Sequence, residues 1–199
     1  MLRLVIAWPA VSLGIAMLLQ ARLGVAPFDV LNTGVARVVG ASFAIVYLGV
    51  SLLFYAIGML LGGRAGWASV VGTFVIGPLI GIFRSALPEP GTIIARSVMM
   101  VAASLILATA VCLVITTELG AGPTEVLMLG LIRRNVPIVA ARWITDGVPL
   151  VIGALLGGAV GIATVIFAFA LGPLIKFGLS VLRYTPPHDT NPLALAAID

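Results

Sequence analysis

Two acidic residues occupy matching places in a motif that occurs twice. The pattern Leu-Gly-x-x-Pro-x-acid-Val-Leu places Pro27 two residues before Asp29, and Pro123 two residues before Glu125. Proline favours the first position of a helix, and an acid in the first turn complements the positive end of the helix dipole. Each motif therefore predicts a helix start that carries a carboxylate. That carboxylate either only caps its helix or also binds a cation or a proton, because ionisable groups at membrane depth are costly and commonly functional.

A second charged pair is not repeated. Arg142 and Asp146 are four residues apart, so on a helix they share one face and can form an ion pair. The repeat places the uncharged Ser51 opposite Asp146. A charge without a repeat-related mate suits a substrate or coupling-ion site, whereas a closed structural ion pair is the alternative.

Two Gly-Pro pairs interrupt predicted membrane helices. Gly77 precedes Pro78, and Gly172 precedes Pro173, each about 11 residues into its helix and so about 17 Å along it, near the bilayer midplane. Proline removes an amide donor and leaves a carbonyl free, and a broken helix at the midplane is typical of transport sites. An ordinary packing kink is the other interpretation.

Signatures of soluble enzymes are missing from the sequence. No His, Cys and acid cluster has metal-ligand spacing, no Gly-rich loop follows a strand, and no Ser or Cys has a His to activate it within the membrane body. We therefore expect no enzyme activity, no cofactor and no metal. The net charge is +4, but the arginines stand singly rather than in a patch, so we expect no nucleic-acid partner.

Composition identifies the chain as an integral membrane protein. Of its 199 residues, 61% are hydrophobic and 9% are charged, whereas a soluble domain has about 25% charged residues. Two short helices begin at Pro27 and Pro123 and are too short to cross about 30 Å of hydrocarbon unaided. The predicted fold is thus all-α. Six apolar segments are suited to spanning: 4–22, 41–62, 66–86, 95–117, 137–157 and 160–182.

The sequence contains an internal duplication. The motif recurs at a spacing of 96 residues, and after one deleted residue the Gly-Pro-Leu-Ile sequences recur at a spacing of 95. Duplicated membrane proteins commonly hold a transport site at the repeat interface. The predicted parts are a first membrane repeat at 1–90, a second at 91–183 and a flexible C-terminal tail at 184–199.

The topology depends on whether the short helices cross the bilayer. If they cross, the chain has eight crossings, with seven arginines on one side of the membrane and two on the other. That distribution is a strong positive-inside bias. If they are re-entrant, the chain has six crossings, with five arginines on one side of the membrane and four on the other. The charge bias favours eight crossings with both termini cytoplasmic. The five arginines of the six-crossing alternative are Arg3, Arg64, Arg133, Arg134 and Arg183, and the four are Arg22, Arg37, Arg84 and Arg96.

The sequence contains the paired motifs, Gly-Gly turns at 62–63 and 157–158, and one Ile-Gly-Pro and one Leu-Gly-Pro sequence. In these features the chain resembles the YczE/YitT-like family of bacterial integral membrane proteins. The resemblance extends over nearly the whole chain to Arg183. It implies a multi-pass protein of the bacterial cell (inner) membrane. It implies little about activity, since such proteins are described as membrane proteins or transporters.

Together these features predict a small secondary transporter of a small polar metabolite or ion, driven by ion or proton coupling. Its expected partners are membrane lipid and an unspecified small-molecule or ion substrate. A non-transporting membrane partner, which anchors, assembles or regulates another enzyme or export system, is the alternative. The glycine-rich helix faces at Gly58 and Gly153 favour close packing inside the monomer and also allow a homodimer.

Overall fold

The structure is a computed structural model that describes residues 2–117 and 119–182. Those residues form eight α-helices and no strands, as the sequence predicts. The predicted tail at 184–199, which contains His188, lies outside the described residues. The helices are α1 (Leu2–Ala21), α2 (Pro27–Val39), α3 (Phe43–Leu60), α4 (Trp67–Ala86), α5 (Ile93–Ile115), α6 (Pro123–Arg133), α7 (Ile138–Leu155) and α8 (Ile162–Val181).

Four of these helices are long and apolar enough to cross a membrane, namely α1, α3, α4 and α5. Large apolar side chains point outward, for example Leu60 at 79% exposure and Leu155 at 82%. In water such a surface would be costly, whereas lipid tails accommodate it. The fold is therefore that of an all-helical membrane protein.

The core forms where α1 lies between α4 and α5. Ile15 and Leu18 of α1 belong to one buried cluster with Ile80 of α4 and Leu107 of α5. Gly14 lets α5 approach closely, because a Cβ there would lie 2.5 Å from the Leu107 side chain. These three long helices therefore form one packed group.

The short helix α2 packs on α7, and both of its ends contact the connection between α7 and α8. At its start, a Cβ on Gly24 would lie 2.7 Å from the Gly161 nitrogen, and the Val25 amide donates to the Ala159 carbonyl at 3.2 Å. At its end, Arg37 Nη1 donates to the Gly157 carbonyl at 3.2 Å. Gly24 has φ of 108°, a conformation that glycine adopts readily.

The short helix α6 makes the matching contacts with the connection between α3 and α4. Near its start, the Ala121 amide donates to Ser69 Oγ at 2.8 Å. Just past its end, Arg134 Nε donates to the Leu61 carbonyl at 3.4 Å. Both ends of α6 thus lie against the same end of the α3 and α4 pair.

The predicted close helix contacts occur inside the chain. A Cβ on Gly58 of α3 would lie 2.8 Å from the Leu127 nitrogen of α6, and one on Gly153 of α7 would lie 2.5 Å from the Val30 carbonyl of α2. Each short helix therefore lies backbone to backbone against a long helix from the other half of the chain.

Candidate functional site

Asp29 is buried at the start of α2. It is the third residue of the helix, and its side chain is 4% exposed. Asn32 Nδ2, one turn later, donates to Asp29 Oδ1 at 3.2 Å. The residue before the helix, Ala26, provides no side-chain cap. The carboxyl thus lies inside the protein with a neutral amide as its hydrogen-bond donor.

Phe28 holds the start of α2 against α3. Its ring lies edge-on to Tyr47 at 5.9 Å and to Phe54 at 5.2 Å, measured between ring centroids. Edge-to-face pairs of this kind are a favoured aromatic geometry. Because Tyr47 and Phe54 stand on either side of Ser51, the α2 start faces the middle of α3.

A buried polar stripe follows that face of α3. Tyr47, Ser51 and Tyr55 are spaced four residues apart, which places them on one helix face, and each is at most 5% exposed. Tyr47 contacts Phe28, the residue before Asp29, and the Tyr55 hydroxyl lies 3.3 Å from the Ala121 carbonyl, just before α6. The stripe therefore connects the starts of the two short helices.

Two buried polar atoms in this region, Asn32 Oδ1 and Ser51 Oγ, have no hydrogen bond of ordinary geometry, although the Tyr47 hydroxyl approaches Ser51 on the same helix face. Asn32 and Ser51 are both 0% exposed. Most buried polar groups in proteins are paired, and leaving one unpaired costs about 1–3 kcal/mol. Sequence reasoning missed Asn32, although its place one turn after Asp29 was a usable signal. The four-residue polar spacing on α3 was the corresponding signal for Ser51.

Glu125 stands at the start of α6, as predicted, but it is only partly buried. Thr124 Oγ1 donates to Glu125 Oε2 at 3.0 Å, and the same oxygen lies over Gly122, the residue before the helix. The Tyr55 hydroxyl lies 3.1 Å from the Ser69 carbonyl and 3.3 Å from the Ala121 carbonyl, so its one hydrogen is shared between these two acceptors, and it accepts from Thr73 Oγ1. The α3 stripe is thus bonded directly to the segment that leads into α6.

Arg142 and Asp146 form the predicted ion pair on α7. Arg142 Nε lies 2.7 Å from Asp146 Oδ2, and the side chains are 42% and 32% exposed. Both short helices pack against α7, the helix that carries Asp146. Asp29 and Glu125 thus lie at the starts of α2 and α6, and Asp146 lies in the middle of the helix that both of them contact. Pro27 and Pro123 begin the two short helices.

The Gly-Pro pairs lie apart from these acids. The helices α4 and α8 continue through Pro78 and Pro173, and both prolines are exposed on the outer surface. Gly77 packs on α3, where a Cβ would lie 3.0 Å from the Leu48 side chain. Gly172 lies within α8. Therefore α4 is a continuous helix with a proline on its outer face, and it has no break that opens toward Asp29.

Comparison with known proteins gives a family without a described function. The model of the family of unknown function DUF6198 matches residues 1–179. The chain belongs to the DUF6198 family. It is similar to a Haemophilus influenzae protein described as uncharacterized, with 28% identity over 188 residues that cover 92% of this chain and 84% of that protein. No solved structure matches the chain.

In this DUF6198 protein two surface cavities lie apart from the central acids. They are lined by the ends of α1, α2 and α4 and the start of α3, and neither includes Asp29, Glu125 or Asp146. No group of three or more His, Cys, Asp and Glu residues that could hold a metal ion occurs within the described residues. The central groups can accept hydrogen bonds, accept a proton and attract a cation.

Proposed function

We propose that this protein is a small secondary transporter, which moves a small polar metabolite or ion by coupling to an ion or a proton. The observation that carries the proposal is the pair of unpaired buried atoms, Asn32 Oδ1 and Ser51 Oγ, close to the buried carboxyl of Asp29. Two unpaired groups would cost about 1–3 kcal/mol each in an empty site. A bound polar ligand, ion or water offsets that cost.

The roles of the residues follow from their chemistry. Asp29 accepts a proton or attracts a cation, and Asn32 and Ser51 provide neutral hydrogen-bonding groups for the ligand. Glu125 and Asp146 add negative charge at the start of α6 and on α7, and Arg142 balances Asp146. Because α2 and α6 each rest on a long helix of the other half, sliding at these contacts would open the site to one end at a time.

We also propose that the chain crosses the membrane six times, with α2 and α6 re-entrant. This choice is supported by the contacts of both α2 ends with residues 157–161 and of both α6 ends with residues 61–69. A helix that crossed the bilayer would have its ends at opposite surfaces. Each half then has three crossings, so an inverted repeat replaces the tandem, parallel repeat that the arginine bias favours.

The location that we propose is the bacterial cell membrane, with both termini cytoplasmic. The six-crossing arrangement keeps the two termini on one side, as the eight-crossing arrangement would. The resemblance to the YczE/YitT-like family agrees with this location and remains a prediction beside the DUF6198 match.

The alternative is a non-transporting membrane partner of another enzyme or export system. Such a protein needs no ligand site, so its buried polar groups should all be paired internally. The unpaired Asn32 Oδ1 and Ser51 Oγ favour the transporter instead.

The test is a flux assay with the purified protein in sealed liposomes, with and without a pH gradient. A panel of small metabolites and ions is tested for uptake by the wild type and by Asp29→Asn, Glu125→Gln and Asp146→Asn. A matched control changes the same chemistry away from the site: Ser85→Ala, compared with Ser51→Ala, removes an exposed hydroxyl.

We expect protein-dependent flux that Asp29→Asn and Ser51→Ala reduce at least about tenfold, because each removes a ligand-binding group worth about 1.4 kcal/mol or more. The Ser85→Ala control should keep wild-type flux. If the wild type gives no flux over the whole panel while the variants remain folded, the transporter proposal fails and the partner alternative replaces it.

A further inference from the structure

A second polar region lies at one end of the helix bundle, separate from the central acids. It is a cavity of about 450 Å³ between the ends of α1, α2 and α4 and the start of α3. Three arginines from three different elements line it: Arg22 after α1, Arg37 in the last turn of α2, and Arg84 in the last turn of α4. We call this cavity the arginine groove.

The charge of the arginine groove is positive even after its internal pairing is counted. Glu89 forms an ion pair with Arg22, so three positive charges face one negative charge and leave two in excess. Arg37 uses one nitrogen on the Gly157 carbonyl and keeps further N–H donors for a ligand. The end of α4 that carries Arg84 is fixed, because Gln20 Nε2 donates to the Arg84 and Leu87 carbonyls at 3.0 and 2.8 Å.

The start of α3 adds to this field. Ser42, the residue before the helix, lines the groove together with Phe43, so the positive end of the helix dipole opens into the same space. Ser42 Oγ accepts from the Ile45 amide at 3.4 Å, which fixes that helix start. The three arginines carry like charges around one cavity, so an anion in the groove would relieve the repulsion among them.

The groove is not a by-product of the duplication. At the repeat spacing of 95–96 residues, the positions of Arg22, Ser42 and Arg84 are occupied by Glu118, Pro137 and Leu179. One end of the bundle thus has three arginines and a serine-capped helix start where the matching sequence has one arginine.

We propose that the arginine groove binds a phosphate-bearing anion. Guanidinium groups bind phosphate through two parallel hydrogen bonds, and three of them around one cavity surround a phosphate better than a carboxylate. The volume exceeds that of a bare phosphate and lies within the range of small-molecule sites, so part of the attached molecule fits too. The phosphate belongs either to the headgroup of an anionic phospholipid or to a soluble phosphate compound.

Two binding measurements on the detergent-purified full chain separate these sources. Native mass spectrometry compares retention of phosphatidylglycerol with that of zwitterionic phosphatidylcholine, and a thermal melt measures stabilisation by inorganic phosphate and by glycerol 3-phosphate against chloride. The variants are Arg37→Gln, Arg84→Gln and their combination. Arg64→Gln is the matched control, because this exposed arginine follows α3 and does not line the groove.

We expect the Kd of the preferred anion to rise about tenfold for each lost arginine and to stay unchanged in Arg64→Gln. Arg84→Lys keeps the charge but not the geometry for two parallel hydrogen bonds, so its Kd for the anion should lie between those of the wild type and Arg84→Gln. This variant also controls for folding. Selective binding of phosphatidylglycerol identifies a lipid, and selective stabilisation by glycerol 3-phosphate identifies a soluble ligand. The proposal is overturned if the wild type prefers neither anion, or if the double variant binds like the wild type.

Discussion

The contact between α2 and α7 should be sensitive to a single methyl group. A Cβ on Gly153 would lie 2.5 Å from both the carbonyl carbon and the oxygen of Val30, whereas ordinary contact begins at 3.4 Å. These neighbours are backbone atoms, so Gly153→Ala must push α2 away by about 0.9 Å, the difference between the two distances. Overpacking of this kind costs about 1–3 kcal/mol. Because Val30 follows Asp29, the same shift should also lower transport.

Gly147→Ala is the matched control for this change. It lies on the same helix, and a Cβ there meets nothing within 4 Å. Both substitutions gain the same intrinsic helix preference of alanine over glycine, about 0.5–1 kcal/mol, so that term cancels between them. We expect Gly153→Ala to be about 1–3 kcal/mol less stable than Gly147→Ala in an SDS titration of the protein in detergent micelles. Equal stability of the two variants would refute the proposed backbone contact.

Three further predictions concern hydrogen bonds and topology. Ser51→Ala removes an unpaired hydroxyl, so in the same titration its stability should be unchanged or up to about 1 kcal/mol higher. Ser69→Ala removes the acceptor for the Ala121 amide and should lose about 1–3 kcal/mol. Equal losses in the two variants would contradict this assignment. Tyr55→Phe removes the hydroxyl that donates to the Ser69 and Ala121 carbonyls and accepts from Thr73, so we expect a loss of about 1–2 kcal/mol, and an unchanged titration midpoint would exclude this role. In a cysteine-free background, single cysteines at Arg22 and Arg37 should react with a membrane-impermeant maleimide from the same side of the bilayer; labelling from opposite sides would restore the eight-crossing arrangement.

Local signals in the sequence located the helices well. The six apolar segments correspond to the six long helices, and both short helices begin at the predicted prolines, Pro27 and Pro123. Proline at a first helical position and uninterrupted apolar runs are properties of neighbouring residues, so they can be read without the fold. In the structure α2 ends at Gly40, which adopts φ of 70°, a left-handed conformation that terminates helices.

The candidate site was only partly predictable, because its geometry depends on distant contacts. Asp29 and Glu125 were found from the repeated motif, since a charge in an apolar sequence stands out. Neutral side chains do not stand out, so Asn32 escaped notice and Ser51 was noted only as an uncharged counterpart of Asp146. The partners of α2 could not be read from the sequence either, because they lie about 120 residues later in the chain.

The exchange of short helices between the two halves has a consequence for biosynthesis. The bond from Arg37 to Gly157 joins residues 120 positions apart. Ribosomes add about 5–20 residues per second, so α2 waits about 6–24 s before its docking surface on α7 has been synthesised. During that interval Asp29 and the glycine face of α2 are without their final neighbours, and α6 can dock on α3 as soon as it emerges. The second half of the protein therefore acts as a template that completes the first, and coexpressed halves should assemble with each other, whereas the first half made alone should be degraded.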